Sequence, residues 1–352
     1  MLISICIPQY NRSRHLLAVL DSIRAQDYPE IEVVISDDCS SDDSATVIPE
    51  YISRFSSESQ VRFRYLRHDR NLGYDANLRA SLAAASGDYL FILGNDDALA
   101  QTSTLSMLAQ TLEALGKPNI VVGNYHPYNH PEQVVRRATA TAVLGTGPDV
   151  ALKTYRLFSF VAGILLRRDA FHVHNTDQCD GSVYVQMYLG ARIVAAGGML
   201  ATIDEAIVAK DITIEGEKAN SYLDVLKRDN SRITPRMGGL DQVGQVVCDA
   251  ILPCVDEKDQ TNYLVGIYRQ LLGYSYAQWL YQYRKDGVFL ASVNLALGCT
   301  PGRMLRFRQV SWSGYMRIWL VYLPVTLAGL LAPLSLLESV KNHLYRRPTK
   351  KP

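Results

Sequence analysis

Leu2–Arg12 reads LISICIPQYNR, a short apolar run that ends at Pro8 and continues into polar residues. The length of the run and its isoleucine content predict a buried β-strand over Leu2–Ile7. Two later stretches repeat this arrangement: IEVVIS at residues 31–36 runs into two aspartates, and YLFIL at residues 89–93 runs into GNDD. Such runs are typical of strands that are covered on both faces and end at a polar loop.

Helical patterns separate these predicted strands. The elements predicted for the first hundred residues are strands over 2–7, 31–35, 61–66 and 89–93 and helices over 12–25, 42–55 and 75–85. Strand and helix alternate, which predicts an α/β fold, a Rossmann-like and mostly parallel sheet with helices on both faces.

The rest of the chain changes character near residue 215. Strands are predicted over 120–123, 161–166 and 206–209, and helices over 182–196, 241–252 and 260–281. From Lys218 onward the strand signals fade. We therefore expect one α/β domain of residues 1–215 and a helical C-terminal region of residues 216–352.

The composition is that of an ordinary globular protein, with 352 residues of which 48% are hydrophobic and 20% charged. The formal net charge of +1 argues against a nucleic-acid-binding protein rich in Lys and Arg. The six cysteines form no C-x-x-C pair and no zinc-ligand spacing, which favours a reducing compartment. The N-terminus lacks the basic residues and the apolar length of a secretory signal, so we expect none.

Polar clusters follow three of the predicted strands, at residues 9–11, 37–38 and 95–97. Ligands of α/β sheets bind beyond the carboxyl ends of the strands. No G-x-G-x-x-G and no P-loop lysine follows the first strand, which argues against a dinucleotide site. Carboxylates gathered at this edge suit Mg²⁺ or Mn²⁺ with a phosphate-bearing ligand. Taken singly, Asp96 and Asp97 also suit a solvated turn after a strand, and Asp37 and Asp38 also suit a helix cap.

Four ordered motifs resemble glycosyltransferase family 2. They are Ile3–Arg12, Glu32–Asp42, Asn71–Gly73 with Ala84–Tyr89, and Leu93–Asp97. Their order and spacing agree with the family across residues 1–100 and more loosely to residue 210. Residues 71–100 and 181–184 most resemble the abequosyltransferase-type enzymes of bacterial O-antigen assembly. The resemblance implies a GT-A fold over residues 1–215 and transfer of a sugar from a nucleotide diphosphate donor.

The resemblance also assigns roles to residues at the strand ends. The implied nucleotide-binding residues are Pro8, Tyr10, Asn11, Asp38, Asn77 and Asp96. Asp38 would accept a hydrogen bond from the base, and Asp97 would bind a divalent cation, Mn²⁺ or Mg²⁺, with Asp96 near the ribose and the metal. Many relatives carry an acid where this chain has Asn95, so we expect a weaker metal site.

A catalytic base is harder to assign. Family members usually invert the configuration at the transferred carbon, and an inverting transfer needs a base that takes the proton from the acceptor hydroxyl. Asp180–Tyr184 occupies the place of the acidic motif from which the family often takes this base, and the usual acid pair is absent. We predict Asp180 as the base and Asp177 as the second choice. Asp180 also suits capping of the following helix, and both roles stay open.

The C-terminal tail is basic and partly apolar. Residues 303–352 carry nine Lys or Arg and one acid, a charge of +8, whereas the preceding residues carry −7. The 20 positions of Ile318–Leu337 contain no charge, about the length that spans a bilayer, but Pro324 and Pro333 interrupt a helix. Three interpretations stay open: a transmembrane helix, an interfacial segment held by its basic flanks, and a buried or oligomer helix.

Together these features predict a sugar transferase of bacterial surface polysaccharide assembly. Its partners would be a nucleotide-sugar donor, a polyprenyl-linked or other saccharide acceptor and an anionic membrane surface at residues 303–350, with no nucleic acid and with oligomerisation left open. We expect it at the cytoplasmic face of the bacterial inner membrane, as a peripheral or monotopic protein. The alternative is a non-catalytic nucleotide-sugar-binding protein of the same fold, which Asn95 and the missing acid pair favour. A nucleotidyltransferase is disfavoured because Pro8–Arg12 lacks a Gly-rich basic loop.

Overall fold

The structure is a computed structural model that describes residues 1–55, 61–214, 232–306 and 308–344. The chain divides into two compact units. The first contains the residues up to 214 together with 249–254, and the second contains the other described residues from 232 onward.

In the described part of the first unit, nine strands form one mixed sheet. They are β1 (Ile3–Gln9), β2 (Ile31–Asp37), β3 (Arg62–Arg67), β4 (Tyr89–Ile92), β5 (Ala98–Leu99), β6 (Ile120–Pro127), β7 (Ala142–Gly145), β8 (Ile164–Arg167) and β9 (Leu200–Lys210). Their spatial order is β3-β2-β1-β4-β8-β6-β9-β5, and β7 pairs with β9 outside this path.

The half of the sheet that contains β1 is parallel. β1 lies between β2 and β4, and the register pairs Ile3 with Ile31 on one side and with Tyr89 on the other. β3 continues the parallel order beyond β2. Every residue of β2 and β4 is buried, as expected for strands covered on both faces. The predicted α/β fold is confirmed.

The helices of this unit pack on the sheet through apolar faces. They are α1 (Ser13–Arg24), α2 (Ser44–Phe55), α3 (Tyr74–Ala84), α4 (Thr104–Ala114), α5 (Pro148–Thr154), α6 (Arg168–His174) and α7 (Val185–Ala195). In α1 the buried apolar residues are Leu16, Val19, Leu20 and Ile23, a helical spacing. Burying each of these side chains contributes about 1.5–3 kcal/mol.

The second half of the sheet is less regular than the sequence predicts. β8 runs antiparallel to both of its neighbours, β4 and β6. The strand predicted over 206–209 is the end of the longer β9, which is parallel to β6 and antiparallel to β5 and β7. β5 and β7 have two and four residues, too few to show a period in the sequence.

The described residues from 232 onward are helical. They form α8 (Leu240–Ile251), α9 (Glu257–Gln270), α10 (Ala277–Lys285), α11 (Phe289–Gly298), α12 (Pro301–Met304), α13 (Trp312–Leu331) and α14 (Leu334–Leu344). A π-helical segment, Leu271–Tyr276, joins α9 to α10, so the single helix predicted over 260–281 is in fact three segments. α13 is long and apolar enough to cross a membrane by length and composition, and 28% of its apolar window is buried.

Candidate functional site

A cavity opens at the carboxyl ends of β1, β2 and β4, the edge at which α/β sheets bind ligands. Its volume is about 720 Å³, within the ~300–1,000 Å³ of typical small-molecule sites. The predicted residues that line it are Pro8, Tyr10, Asn11, Asp38, Asn77, Asp96 and Asp97. The fold therefore brings all predicted nucleotide and metal residues to one cavity, although their chemical roles stay predictions.

The loop after β1 carries Tyr10 and Asn11. Tyr10 is 47% exposed in the cavity wall, so its ring is accessible to a ligand. Asn11 has a φ of 49°, a conformation that asparagine tolerates better than most residues. Its Oδ1 accepts a hydrogen bond from the backbone N–H of Ser41 at 2.7 Å. This bond ties the loop after β1 to the loop after β2.

Asp38 stabilises the turn that precedes α3. Its two carboxylate oxygens accept hydrogen bonds from the backbone N–H groups of Leu72, at 2.6 Å, and Gly73, at 3.0 Å. Gly73 has a φ of 86°, which glycine adopts without strain. Asp38 thus lines the cavity and holds the start of α3, and a nucleobase would meet the lone pairs that these two bonds leave.

Asn77 has an acceptor that lacks a partner. The residue lines the cavity and is 2% exposed. Its Nδ2 donates to the backbone carbonyl of Gln9 at 3.2 Å, which sets the orientation of the amide, and its Oδ1 is buried without a hydrogen bond. A buried unsatisfied acceptor costs about 1–3 kcal/mol. An N–H or O–H of a bound ligand would remove this cost.

A hydrogen-bond chain links the loop after β4 to the start of α2. Asn95 Nδ2 donates to Gln9 Oε1 at 2.8 Å, and Gln9 Nε2 donates to Ser44 Oγ at 2.8 Å. The Ser44 hydroxyl donates to Asp42 Oδ1 at 2.5 Å. Burial raises the pKa of the Asp42 carboxyl, but hydrogen bonds from Ser44 and Ser13 outweigh burial and leave this pKa below its usual value.

This chain explains why position 95 is an amide. An ionised carboxylate such as that of Asp42 can only accept hydrogen bonds. Each donor in the hydrogen-bond chain therefore points toward Asp42, and the residue at position 95 must donate to Gln9. An aspartate at position 95 would face the side-chain oxygen of Gln9. Asn95 is therefore a structural departure from the family pattern, and its amide oxygen is used as well, since it accepts from Arg12 at 3.3 Å.

Arg12 is a site residue that sequence reasoning missed. Its Nη1 lies 2.5 Å from Oδ2 of Asp96, and both residues line the cavity. The pairing depends on β1 and β4 being neighbours in the sheet, so no local pattern in the sequence predicts it. Arg12 places a positive charge of the protein beside the carboxylates predicted to bind metal.

The end of β9 completes the carboxylate end of the cavity. The backbone N–H of Asp211 donates to Oδ1 of Asp97 at 3.0 Å, and Lys210 forms an ion pair with Asp211 at 2.5 Å. Lys210 and Asp211 both line the cavity. Burial and the neighbouring Asp96 raise the pKa of Asp97 to about 7. Sequence reasoning missed Asp211, which stands 114 residues after Asp97.

Two carboxylate oxygens converge above Gly94. A Cβ built on Gly94 would lie 2.6 Å from Oδ2 of Asp97 and 3.1 Å from Oδ1 of Asp96. The other oxygen of each carboxylate binds the protein, at Asp211 and Arg12. The pair fits Mg²⁺ or Mn²⁺, since Mg²⁺ typically takes one or two carboxylates and completes its coordination with waters and substrate phosphates. Within the described ranges no three His, Cys, Asp or Glu side chains form a metal-holding group, so metal binding stays a prediction.

Asp180, the predicted base, is paired with Arg79 of α3. Nε of Arg79 lies 2.9 Å from Oδ1 of Asp180, and Nη2 lies 2.5 Å from Oδ2. A carboxylate has about four lone-pair sites, so this bidentate pair leaves room for a further proton donor. Neither Asp180 nor the exposed Asp177 is among the residues that line the cavity. The assignment of either residue as the base stays a prediction.

Asp75 caps the start of α7, which was the alternative role considered for Asp180. Asp75 is 1% exposed, and its carboxylate accepts from the backbone N–H groups of Val183, at 2.7 Å, and Val185, at 3.1 Å. These groups lie at the start of α7, where a helix favours a negative charge. Burial raises the pKa of Asp75. Asp75 therefore fixes the first turn of α7 against α3.

A second cavity, of about 600 Å³, lies at the opposite ends of β1 and β4. Its charged side chains are largely paired with one another: Arg167 with Asp169 at 2.7 Å, and Lys117 with Glu113 at 3.1 Å. The described residues that line it include no converging carboxylate pair and no unpartnered amide oxygen like those of the first cavity. The first cavity is therefore the better candidate for chemistry.

Comparison with known proteins gives a family match over the first half of the chain. Residues 4–174 match the family model described as glycosyl transferase family 2. The chain is 40% identical over 116 residues to abequosyltransferase RfbV of Salmonella typhimurium, which covers 32% of this chain and 33% of that protein. It is 31% identical over 108 residues to the GalNAc(5)-diNAcBac-PP-undecaprenol beta-1,3-glucosyltransferase of Campylobacter jejuni, covering 31% and 33%. The chain thus spans about a third of the length of these relatives.

Solved structures share the fold at low sequence identity. TarS 1–349 of S. aureus in complex with UDP-GlcNAc aligns with a TM-score of 0.59 and 15% identity, covering 99% of this chain and 93% of that one. The mannosyltransferase PcManGT from Pyrobaculum calidifontis, in complex with GDP-Man and Mn²⁺, aligns with a TM-score of 0.52 and 15% identity, covering 97% and 84%. These likenesses confirm a GT-A-like α/β fold with a helical C-terminal region.

Proposed function

We propose that this protein, whose residues 4–174 match the model of glycosyl transferase family 2, transfers a sugar from a nucleotide diphosphate donor to a hydroxyl group of a saccharide acceptor. One observation carries the proposal. A single cavity joins an accessible aromatic ring and an amide oxygen without a hydrogen-bond partner, at one set of strand ends, to a converging carboxylate pair at another. A nucleoside and a metal-bound diphosphate need these two kinds of surface side by side.

The donor nucleoside would lie beside Pro8 and Tyr10. Asn77 Oδ1 would accept a hydrogen bond from the base or the ribose, and Asp38 would accept another from the base. Asn11 contributes by holding the loop on which Tyr10 stands. Each of these contacts uses a group that already lines the cavity.

The diphosphate would lie toward Asp96, Asp97, Arg12 and Lys210. A divalent cation held by the two aspartates would offset the negative charge that grows on the leaving diphosphate. Arg12 binds the second oxygen of Asp96 and so orients this carboxylate. Lys210 adds a positive charge at the same end of the cavity.

The acceptor hydroxyl would attack the anomeric carbon as the bond to the diphosphate breaks, with inversion at that carbon. Asp180 would take the hydroxyl proton, with Asp177 as the second choice. In this proposal the bidentate contact with Arg79 fixes the orientation of the Asp180 carboxylate.

We further propose that the acceptor is a saccharide on a polyprenyl carrier, used at the cytoplasmic face of the bacterial inner membrane in surface polysaccharide assembly. The name of one relative supports this class: it is a glucosyltransferase whose acceptor is linked to undecaprenol through a diphosphate.

A ligand screen followed by an assay tests the proposal. The protein is heated with uridine, guanosine, cytidine and thymidine diphosphates and their sugar conjugates, each with and without Mn²⁺. A ligand at a hundred times its Kd stabilises the folded state by about 2.7 kcal/mol, so one nucleotide should raise the Tm by several degrees, and more with metal. Its sugar conjugate should then lose the sugar to a prenyl-linked saccharide. If no nucleotide diphosphate raises the Tm, the donor proposal is wrong.

The second candidate is a binding protein that keeps the nucleotide site without turnover. Asn95, whose amide is hydrogen-bonded to Gln9 and Arg12, and Asp180, which lies outside the cavity lining, favour it. The same experiment separates the two. Nucleotide binding without transfer, and without hydrolysis of the sugar conjugate on long incubation, would indicate the binding protein.

A further inference from the structure

α13 presents one apolar face to solvent. Its members recur every three or four residues and so share one side of the helix. They are Trp312 (77% exposed), Met316 (39%), Leu320 (71%), Leu323 (48%), Leu327 (56%) and Leu331 (73%). We call this set the apolar stripe. Contiguous exposed apolar surface of this kind marks an interaction site.

The opposite face of α13 packs on helices of its own unit. Its buried residues are Gly314, Ile318, Tyr322, Thr326 and Gly329. The hydroxyls of Thr326 and Tyr276 are 2.7 Å apart, and the hydroxyl of Tyr322 donates to the carbonyl of Ala296 at 2.7 Å. A Cβ added to Gly329 would lie 2.5 Å from Cδ1 of Leu280, so the contact is close.

Arginines attach the two ends of α13 to two neighbouring helices, α9 and α10. Arg317 Nη1 donates to Oδ1 of Asn262 in α9 at 2.9 Å. Arg284 Nη1, at the end of α10, donates to the carbonyls of Gly329 and Ala332 at 2.9 and 2.7 Å. A helix that crosses a membrane alone would carry Arg284 toward the hydrocarbon or break these bonds, and either change is costly. The packing therefore argues against a lone transmembrane span.

The positive charge of the C-terminal stretch indicates what kind of partner covers the apolar stripe. By sequence, residues 303–352 carry +8. Among the described residues of this stretch, Arg303, Arg306 and Arg317 are exposed before and within the start of α13. The one acid of this stretch, Glu338, lies 3.9 Å from Nζ of Lys285. A second copy docked on the stripe would bring two such basic surfaces together, whereas an anionic lipid surface complements them. Trp312 at the end of the stripe is also typical of a membrane interface.

We propose that α13 lies in the plane of an anionic bilayer surface, with the apolar stripe inserted among the lipids and the opposite face packed on the protein. The expectation of a membrane rests on the proposed function, whose acceptor is carried on a lipid, but the geometry of insertion rests on the stripe and its packing. An amphipathic helix in this position sinks about 5–10 Å into the boundary of headgroups and acyl chains. This places the whole length of α13 at one depth.

Flotation of the full chain with vesicles of phosphatidylglycerol and phosphatidylethanolamine tests the occupant. The parent should float, and the variant Leu320→Glu/Leu327→Glu should stay at the bottom of the gradient, since carboxylates in the stripe oppose both insertion and the anionic surface. The matched control is Gln110→Glu/Gln133→Glu, two exposed positions of the first unit that give the same change in net charge. The control should float like the parent.

Two outcomes would overturn the proposal. In one, the stripe variant floats as well as the parent. In the other, the parent does not float and is a dimer by light scattering that the stripe variant converts to monomer, which assigns the stripe to a second copy. Nucleotide-induced shifts of Tm are measured on the same proteins. A parent that floats but binds no nucleotide diphosphate refutes the proposed function and leaves the membrane proposal intact.

Depth measurements test the in-plane geometry. Single cysteines at Met316, Leu323 and Leu331, in a background without the half-buried Cys39 and Cys254, carry an environment-sensitive fluorophore. Brominated lipids should quench all three probes with the same depth profile. A spanning helix would instead place the probe at Leu323 far deeper than the other two, and this result would contradict the in-plane arrangement.

Discussion

Asn95 donates a hydrogen bond to the side-chain oxygen of Gln9 over 2.8 Å, and this bond joins the loop after β4 to the end of β1. Gln9 is completely buried and Asn95 is 8% exposed, so neither partner is readily replaced by water. The residue that stands in the place of a metal-binding acid is thus part of the frame of the cavity. The hydrogen bonds that continue from Gln9 through Ser44 to Asp42 determine which residue type fits at position 95.

Asn95→Asp, which introduces the acid that the resemblance to the family leads us to expect here, should destabilise this protein. The new carboxylate would face the Gln9 oxygen, and rotation of the Gln9 amide would set that oxygen against Ser44 Oγ, whose proton goes to Asp42. We expect a loss of about 1–3 kcal/mol, measured by denaturant unfolding. Ser44→Ala lets the Gln9 amide rotate, so the double variant should lose less than the sum of the single losses. Strictly additive losses would show that Ser44 does not fix the orientation of the Gln9 amide.

Asp97→Asn should abolish Mn²⁺ binding in the presence of nucleotide while the fold stays intact. The amide oxygen can still accept from the Asp211 N–H, but it lacks the charge. Asp97→Ala is the contrasting variant, because it also strands that N–H and should lose about 1–3 kcal/mol of stability. Calorimetric Mn²⁺ titration and thermal unfolding measure the two effects. Undiminished Mn²⁺ affinity in Asp97→Asn would exclude Asp97 as a ligand.

Ionisation of Asp97 should destabilise the metal-free protein as pH rises from 4 to 7. Burial and Asp96 raise the folded-state pKa of Asp97 to about 7, so in this range the folded state holds a proton that the unfolded state has released. The free energy of unfolding then falls as pH rises. Each unit by which the folded-state pKa exceeds the unfolded-state pKa corresponds to about 1.4 kcal/mol, so the full loss is a few kcal/mol. Unfolding of the parent and of Asp97→Asn in chelator measures the difference, which should shrink toward pH 4. Parallel pH profiles would contradict the assignment.

Asn77→Ala should weaken nucleotide binding without destabilising the free protein. The substitution removes an acceptor that has no partner, and the Gln9 carbonyl keeps its bond from the Asp38 N–H at 2.9 Å. Loss of one ligand hydrogen bond of about 1.4 kcal/mol corresponds to a tenfold higher Kd. Calorimetry with the nucleotide found in the screen, beside a Tm measurement, checks this. An unchanged Kd would show that Asn77 Oδ1 does not face the nucleotide.

Asp180→Asn should lower kcat by about 100-fold, the usual scale for a general base, with little change in the Kd of the donor. Arg79→Gln is the control, because it removes the ion pair and keeps the carboxylate. It should reduce kcat by much less than Asp180→Asn does. Equal losses in both variants, together with lower Tm values, would mean that the pair supports the fold and that the base is elsewhere. Asp177→Asn then becomes the next variant to test.

The parts of the fold and site that the sequence predicted are local in the chain. β1, β2 and β4 are continuous apolar runs, and each polar cluster follows its strand directly, so the position of the cavity follows from strand order. The pairs that organise the cavity are not local. Arg12 and Asp96 are 84 residues apart, and Asp97 and Asp211 are 114 apart. No periodicity relates such partners; only the completed sheet does.

The pairing of β9 with β5, which sets Ala98 opposite Ala209, has a consequence for how the protein is synthesised and folded. The motifs of the first hundred residues leave the ribosome early, but the backbone N–H that binds Asp97 comes from residue 211. A nascent chain that ends at residue 174, where the family match stops, has the polar motifs at the ends of β1, β2 and β4 but lacks Lys210 and Asp211, which line the cavity. Because contacts so distant in sequence form slowly, the carboxylate end of the cavity should be completed late in synthesis, and truncated products should be inactive.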